Sequence, residues 1–189
     1  AVPAAGRTDG AIARDVCVLG GIDAARVGDG MTRFHAACAE AYARRCPPDL
    51  RDRVAPGVDE ALSALADRPG IRFSLVTGNL EPIARMKLRR SGLEAFFVAG
   101  QGGFGSDSDD RSDLPAIARR RAGADDGGAP YPRARTIVIG DTPEDIACAR
   151  ADGLRCVAIA TGPYGPDELA GADAVLHSAH ELPATLRAR

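Results

Sequence analysis

A short polar turn in the first half of the sequence carries residue types that suit phosphate binding. Thr77, Gly78 and Asn79 follow a short apolar run and place a hydroxyl, a glycine and an amide ahead of a predicted helix. Backbone N–H groups are unpaired at a helix N-terminus, so this turn would suit an anionic oxygen. The alternative is that Thr77 only caps the following helix, since Thr is a common N-cap residue.

A second polar stretch suits metal binding. Residues 140–145 (Gly-Asp-Thr-Pro-Glu-Asp) place Asp141 at the end of a predicted strand and Asp145 in the first turn of a predicted helix. Two carboxylates that converge at a strand end can hold a hard divalent cation such as Mg²⁺, which prefers oxygen ligands. Helix capping and compensation of the helix dipole would explain the same two residues without a metal.

These two stretches need a scaffold that brings strand ends together, and the hydrophobic pattern predicts one. The first third of the chain is predicted to be helical, with Thr8 capping a helix that runs to Leu19 and a second helix over residues 30–45. The remainder alternates between short strands and helices, which is typical of an α/β domain with a parallel sheet. We place the boundary near Pro56, which divides the chain into residues 1–55 and residues 56–189.

The second part is predicted to form a doubly wound, Rossmann-like core. Five apolar runs are predicted strands: residues 71–76, 96–99, 136–139, 156–160 and 174–176. Helices are predicted around residues 58–65 and over residues 81–91, 113–122, 145–151 and 181–187, with a surface loop over residues 123–134. Ligands of such sheets bind at the carboxyl ends of the strands, so Thr77 and Asp141 should lie at the same edge.

The composition favours a small-molecule ligand over a macromolecular one. The 189 residues have a formal charge of −2 with basic and acidic residues interspersed, which argues against a nucleic-acid or membrane partner. No apolar run approaches the ~18 residues that a membrane span requires, so we expect a soluble protein. The five cysteines are an odd number with wide spacings, which predicts reduced thiols in a cytoplasmic protein.

Taken together, the polar stretches resemble motifs of the haloacid dehalogenase superfamily of phosphohydrolases, in the phosphoglycolate-phosphatase-like branch with a small helical cap. Residues 76–79 are similar to the second motif, whose Thr holds the transferring phosphoryl group, and residues 140–145 to the fourth, whose acidic residues hold Mg²⁺. The resemblance implies a Mg²⁺-dependent phosphomonoesterase for a small phosphorylated metabolite, acting through an aspartyl-phosphate. It assigns residues 1–55 as the cap and residues 56–189 as the core, with Gly78 and Asn79 binding substrate.

The same resemblance assigns two basic residues. The family's third motif supplies a cation near the phosphate, and residues 104–111 place Arg111 in that role. Lys87 is the rival for this role, although its mid-helix position favours an exposed surface residue. Arg7 lies where the family has a basic residue that reaches the substrate from the cap. Exposed positions beside a helix are the alternatives for Arg7 and Arg111.

The resemblance fails at the family's first motif, an apolar strand that ends in Asp-x-Asp and carries the nucleophile. Residues 7–10 reproduce only its second Asp, at Asp9, and residues 1–5 make a poor strand because Pro3 removes a ladder donor. We therefore expect that this chain lacks the central strand and has no phosphatase activity by itself. Either it begins after the first βα unit, or it is a degenerate relative in which the remaining strands have closed up.

Two other functions stay open. The same scaffold without a nucleophile would bind a phosphorylated metabolite or a partner protein and turn nothing over. Gly100, Gly102 and Gly105 match a dinucleotide-binding fingerprint. However, no helix is predicted to open within this fingerprint, and no strand ending in an acidic residue follows it about 20 residues later, where Asp125 and Asp126 lie in a loop.

Overall fold

The alternating pattern of the sequence folds into short parallel strands separated by helices. The structure is a computed structural model that describes residue 2, residues 5–124 and residues 127–186. The expectations for Pro3 and the rest of residues 1–5 beyond Val2 and Ala5, for the loop residues Asp125 and Asp126, and for the end of the last helix at Arg187 fall outside the described residues.

The helices are, in chain order, α1 (Asp9–Leu19), α2 (Ala24–Arg45), α3 (Val58–Ala66), α4 (Glu81–Ser91), α5 (Leu114–Ala124), α6 (Pro143–Ala151) and α7 (Leu182–Thr185). The strands are β1 (Val76–Thr77), β2 (Gly103–Phe104), β3 (Ile137–Gly140), β4 (Arg155–Ile159) and β5 (Ala174–Leu176). Single 3₁₀ turns lie at Arg51–Arg53, Glu94–Phe96, Arg111–Asp113, Arg133–Arg135 and Ala179–Glu181.

Side-chain caps define where the first two helices begin. The Thr8 hydroxyl accepts a hydrogen bond from the N–H of Ala11, so α1 begins at Asp9 as predicted. The Asp23 carboxylate accepts the N–H of Ala25 in the same way, so α2 begins at Ala24. The predicted start of this helix at Gly30 is therefore wrong, because the pattern of apolar residues misses a turn that a polar cap initiates.

The mixed helix and parallel-sheet class is confirmed, but the five strands do not form one continuous sheet. β1 pairs only with β2, while β3, β4 and β5 form a second parallel sheet in that order. Among the described residues, no ladder joins β1 to β3. Within the described ranges, each of these two strands therefore has a strand partner on one side only.

Two predicted strands differ from the observed ones. The strand predicted over residues 71–76 is reduced to Val76–Thr77, and the strand predicted over residues 96–99 is wrong. The rings of Phe96 and Phe97 pack against Phe73, with centroids 6.0 and 6.1 Å away, and the partner of β1 is instead Gly103–Phe104. Apolar side chains that pack onto another aromatic ring give the same sequence pattern as a buried strand.

An apolar cleft separates the two sheets. It has a volume of about 570 Å³, with residues 73–76 on one side and residues 136–139 on the other. Within the second sheet, Ile139 is 42% exposed although it belongs to a strand. One core cluster of this half joins Ile146 and Ala149 of α6 to Val138 and Cys156. A second joins Ala61 of α3 to Ile159 and Leu176.

A helix that crosses a bilayer must be both long and apolar. Over the described ranges, none of them is both long and apolar enough to cross a membrane.

Candidate active site

The turn after β1 and the first turn of α6 are joined by the segment that precedes α1. The N–H of Asp9 donates to the carbonyl oxygen of Gly78 over 2.7 Å. A Cβ atom on Gly78 would lie 2.1 Å from the carbonyl oxygen of Arg7, so only glycine permits this approach. At its other end the segment places Gly6 directly against the side chain of Glu144. Both polar stretches therefore lie at one edge of the two sheets.

The turn after β1 holds Thr77 in a defined position. The Thr77 hydroxyl oxygen accepts the N–H of Asn79 over 3.2 Å, and the carbonyl oxygen of Asn79 accepts the N–H of Gly105 over 2.9 Å. The N-cap residue of α4 is Leu80, which makes no side-chain capping hydrogen bond. The alternative that Thr77 caps α4 is therefore wrong, and the hydroxyl belongs to the turn at the strand end.

In the second stretch, protein donors engage both oxygens of the Asp145 carboxylate. Oδ2 accepts the N–H of Asp141 and the N–H and O–H of Thr142, which together with the return bond from Asp145 form a capping box. Oδ1 accepts a hydrogen bond of 2.5 Å from Nη2 of Arg111. The alternative that Asp145 takes part in capping α6 therefore agrees with the hydrogen bonds at the start of this helix.

Asp141 is the carboxylate at the end of β3, and it lies partly buried beside Asp145. Burial, and then the nearby charge of Asp145, raise the pKa of Asp141 above its ordinary value. Its Oδ2 lies where a Cβ atom on Gly162 would be only 2.2 Å away, so the glycine after β4 leaves the space that this carboxylate fills. A bound cation would offset both the burial of Asp141 and the repulsion between it and Asp145.

The described residues contain no ready-made cage of ligands. No three His, Cys, Asp or Glu side chains among them are grouped as ligands of a metal ion. The structure brings Asp141 and Asp145 together, and their assignment as a pair of Mg²⁺ ligands stays a prediction.

Arg111 faces inward from the 3₁₀ turn that precedes α5. Its side chain is only 17% exposed because it extends to Asp145 at the start of α6. Arg7, in contrast, pairs with Asp15 of α1 over 2.7 Å, and its side chain is 30% exposed. The structure therefore joins Arg111 to the second stretch, and it places the carbonyl group of Arg7 against Gly78.

A cavity of about 520 Å³ opens beside Thr77 and Asn79. Tyr42 of α2 and Lys87 of α4 line it, so the N-terminal helices and the α/β part both contribute to its walls. Its volume falls within the ~300–1,000 Å³ that is common for small-molecule sites.

Two residues of this region make contacts that their sequence positions did not predict. Asp9, which reproduces only the second Asp of the family's first motif, accepts the N–H of Leu80 over 2.9 Å with its carboxylate. The expectation of an exposed surface role for Lys87 is wrong, since its ammonium donates to Oδ1 of Asn79 over 2.7 Å. No local pattern of residue types predicts the bond between Lys87 and Asn79, because it depends on the path of the chain from the turn at Asn79 into α4.

The glycine fingerprint does not adopt the geometry of a dinucleotide site. β2 lies inside the pattern, at Gly103–Phe104, and the next α-helix begins only at Leu114. A dinucleotide fingerprint needs the helix to open within the glycines, so that its N-terminus meets the pyrophosphate.

Known proteins match this chain over most of its length. A family model of haloacid dehalogenase-like hydrolases matches residues 2–150. The plasmid phosphoglycolate phosphatase of Cupriavidus necator is 32% identical over 164 residues, which cover 84% of this chain. The same alignment covers 64% of that protein, so the chain spans less than two thirds of its relative's length.

Solved structures show the same fold. A hydrolase from Pseudomonas syringae superposes with a TM-score of 0.64 at 23% identity, covering 97% of this chain and 80% of that chain. CbbY from Rhodobacter sphaeroides, in complex with phosphate, has a TM-score of 0.59 at 22% identity, covering 85% of this chain and 66% of that chain.

Proposed function

The chain belongs to the haloacid dehalogenase-like hydrolase family, and we propose that it serves a Mg²⁺-dependent phosphomonoesterase that acts on a small phosphorylated metabolite through an aspartyl-phosphate. The observation that carries this proposal is the meeting of the two polar stretches at one edge of the sheets. Residues 6–9 bridge Gly78 and Glu144, and Arg111 pairs with Asp145 beside Asp141.

Thr77 and Arg111 are proposed to contact the phosphoryl group. Because the Thr77 oxygen already accepts the N–H of Asn79, its own proton is available for an external oxygen. The guanidinium of Arg111 supplies positive charge from a largely buried position. Positioning and charge stabilisation are most of what phosphoryl transfer requires from a protein.

Asp141 is the residue that best fits a metal ligand. Its carboxylate is partly buried beside a second carboxylate, which is a site where a cation is favoured. Asp145 is proposed as the second ligand of the pair, and the hydrogen bonds from Arg111 and from donors of residues 141–142 orient its carboxylate. When bound, Mg²⁺ supplies charge neutralisation at the phosphoryl oxygens.

The proposed reaction also needs a carboxylate nucleophile. We propose that an extended apolar segment ending in Asp-x-Asp occupies the cleft between β1 and β3. The apolar lining of the cleft supports this, as does the single-sided pairing of both strands in the described part of the chain. The carboxyl end of such a segment would lie between Thr77 and Asp141.

A cytoplasmic location is part of the same proposal. The five cysteines are free thiols, and Cys148 and Cys156 are buried. Reduced thiols are the normal state in the reducing cytosol.

The proposal is tested by phosphate release. A polypeptide in which this chain follows an apolar strand ending in Asp-x-Asp is incubated with 2-phosphoglycolate and other small phosphomonoesters, in Mg²⁺ or in EDTA. We expect Mg²⁺-dependent turnover that is lost in Asp141→Asn, and no turnover by residues 1–189 alone. Turnover that persists in EDTA would refute the metal assignment.

Metal binding has a readout that needs no turnover. Mg²⁺ at saturating concentration should raise the Tm of residues 1–189 by several degrees, since ~1 kcal/mol of binding energy shifts Tm by about 2–4 °C at this size. Asp141→Asn should abolish this shift. Asp59→Asn, at an exposed position of α3, is the matched control and should retain it.

A phosphate-binding protein without turnover is the second candidate, because the Thr77 hydroxyl and the largely buried Arg111 guanidinium would bind phosphate without a nucleophile. Inorganic phosphate would then bind to residues 1–189 in a calorimeter, while the strand-bearing polypeptide released no phosphate from any ester.

A further inference from the structure

Lys87 has no part in the proposed reaction, although it is the only lysine in the sequence. Its ammonium donates to Oδ1 of Asn79 over 2.7 Å and lies 5.4 Å from the centre of the Tyr42 ring. Burial, followed by a hydrogen bond to Cys46, raises the pKa of Tyr42 to about 12, so this ring is neutral at physiological pH. A residue of α4 thus contacts both α2 and the turn after β1.

The side chain of Asn79 lies between Lys87 and Asp9. Its Nδ2 atom lies 3.3 and 3.4 Å from the two carboxylate oxygens of Asp9, the first residue of α1. The backbone adds two bonds at the same place: the N–H of Leu80 donates to Asp9 Oδ2, and the N–H of Asp9 donates to Gly78. We call Asp9, Asn79 and Lys87 the clasp.

The charges at the two ends of the clasp determine which way the amide of Asn79 faces. An ammonium can only donate and an ionised carboxylate can only accept, whereas an amide has an accepting oxygen at one end and a donating NH₂ at the other. With the amide reversed, its NH₂ would face Lys87 and its oxygen would face Asp9. Only one orientation therefore satisfies both neighbours.

We propose that Lys87 is a positioning residue that, by orienting Asn79 toward Asp9, holds the N-terminal helices against the turn that carries Thr77. The clasp joins α1 to that turn, and the contact with Tyr42 joins α2 to the same lysine. Tyr42 of α2 and Lys87 of α4 both line the cavity beside Thr77. The clasp therefore holds the walls that these two helices contribute to the cavity in position. The inference goes beyond the proposed function and holds whether or not the chain turns over a substrate.

Amide hydrogen exchange of residues 1–189, followed by NMR, tests the clasp directly. The N–H groups of Asp9 and Leu80 are its reporters, because both are hydrogen-bonded within it. Lys87→Met keeps an unbranched side chain that is one atom shorter and removes the charge. It should speed exchange at both reporters by about tenfold, the effect expected for losing a hydrogen bond to a charged group. Exchange in the middle of β4, at Val157, should stay unchanged, whereas a general loss of stability would speed it as well.

Conservative and matched variants complete the test. Lys87→Arg should restore slow exchange at the reporters, and Arg89→Met, which removes a 65% exposed cation from the same helix, should leave it unchanged. Equal exchange at the reporters in Lys87→Met and in the parent chain would overturn the proposal. So would acceleration in Lys87→Met that is matched at Val157.

A charge exchange within the clasp tests the orientation of the amide. Asn79→Asp alone places two carboxylates together and should open the clasp. Combined with Asp9→Asn, it restores an ammonium, a carboxylate and an amide in a line, so exchange should return to within about threefold of the parent value, as coupled neighbours do in double-mutant cycles. A double variant that exchanges as fast as Asn79→Asp would contradict the inferred role of Lys87.

Discussion

Thr77 shows how a single side chain in this protein combines a turn with a predicted chemical role. Its oxygen accepts the N–H of Asn79 and stabilises the turn, while its proton is available for a phosphoryl oxygen. The neighbouring Gly78 allows the segment before α1 to approach within hydrogen-bonding distance of this turn. A substitution at position 77 therefore separates the two roles if the shape of the side chain is kept.

Thr77→Val keeps the β-branched shape and removes the hydroxyl. In the polypeptide that carries the nucleophile strand, we expect kcat to fall by about 10²–10³, the usual loss on removing a preorganised donor. The lost turn bond is worth only ~1 kcal/mol, so Tm should fall by about 2–4 °C. Steady-state kinetics and thermal unfolding measure the two effects. Thr77→Ser retains the hydroxyl and is the control, and an unchanged kcat in Thr77→Val would remove Thr77 from the site.

At the scale of elements, a buried ion-pair network joins α5 to α6, the helix whose first turn carries Asp145. Arg111 begins the 3₁₀ turn that leads into α5, and Asp145 lies in the first turn of α6. At the C-terminal end of α6, Asp152 accepts two hydrogen bonds from Arg119 of α5 and two from the guanidinium of Arg133. The side chains of Asp152 and Arg119 are 3% and 8% exposed. The network thus maintains the spacing that lets Arg111 reach Asp145.

Asp152→Ala should destabilise this pair of helices strongly. It leaves Arg119 buried without its partner, and removing one partner of a buried ion pair costs ~3–5 kcal/mol. Urea unfolding at pH 7 measures the loss. Asp52→Ala, at a carboxylate that is 75% exposed, is the matched control and should change the free energy of unfolding by less than ~0.5 kcal/mol.

The same network makes a pH-dependent contribution with a defined sign. Burial alone would raise the pKa of Asp152, but the hydrogen bonds and charges of Arg119 and Arg133 outweigh it and hold the pKa below its ordinary value. The stabilisation of the folded state by ionised Asp152 is therefore fully present above the pKa of ~3.9 that the carboxyl has in the unfolded chain. It is lost as the pH falls through the lower pKa of the folded state. The difference between the parent and Asp152→Ala should shrink in that acid range, and a constant difference would contradict this account.

At the scale of the whole molecule, the cleft between the two sheets is the main departure from a continuous α/β sheet. β1 and β3 each pair on one side only in the described part of the chain, and the cleft between them has a volume of about 570 Å³. An unpaired backbone group that is buried costs ~1–3 kcal/mol, so filling the cleft with a strand should stabilise the fold.

A synthetic peptide should fill this cleft. We expect a peptide of alternating β-branched and apolar residues that ends in Asp-x-Asp to raise the Tm of residues 1–189 as its concentration increases. At a hundred times its Kd the gain is ~2.7 kcal/mol, or about 5–10 °C for a chain of this length. A peptide of the same length with a central proline cannot pair on both sides and serves as the control. An equal shift with both peptides would contradict strand insertion.

The sequence by itself determined the features that depend on neighbouring residues. The bounds of α4 and β5 are as predicted, and Thr8 caps α1 as predicted, because periodicity and caps act within a few residues. The types and order of the residues in the two polar stretches also sufficed to suggest the family that the comparisons show.

Only the tertiary structure decided which of these residues meet. Lys87, Asn79 and Asp9 form one chain of hydrogen bonds although Asp9 is 70 positions from Asn79, and Arg111 pairs with Asp145 across 34 positions. The position of β2 and the separation of the two sheets likewise depend on which distant segments pair. The physical reason is that such bonds form between strand ends and helix starts that the fold brings together, and no local pattern of residue types encodes that proximity.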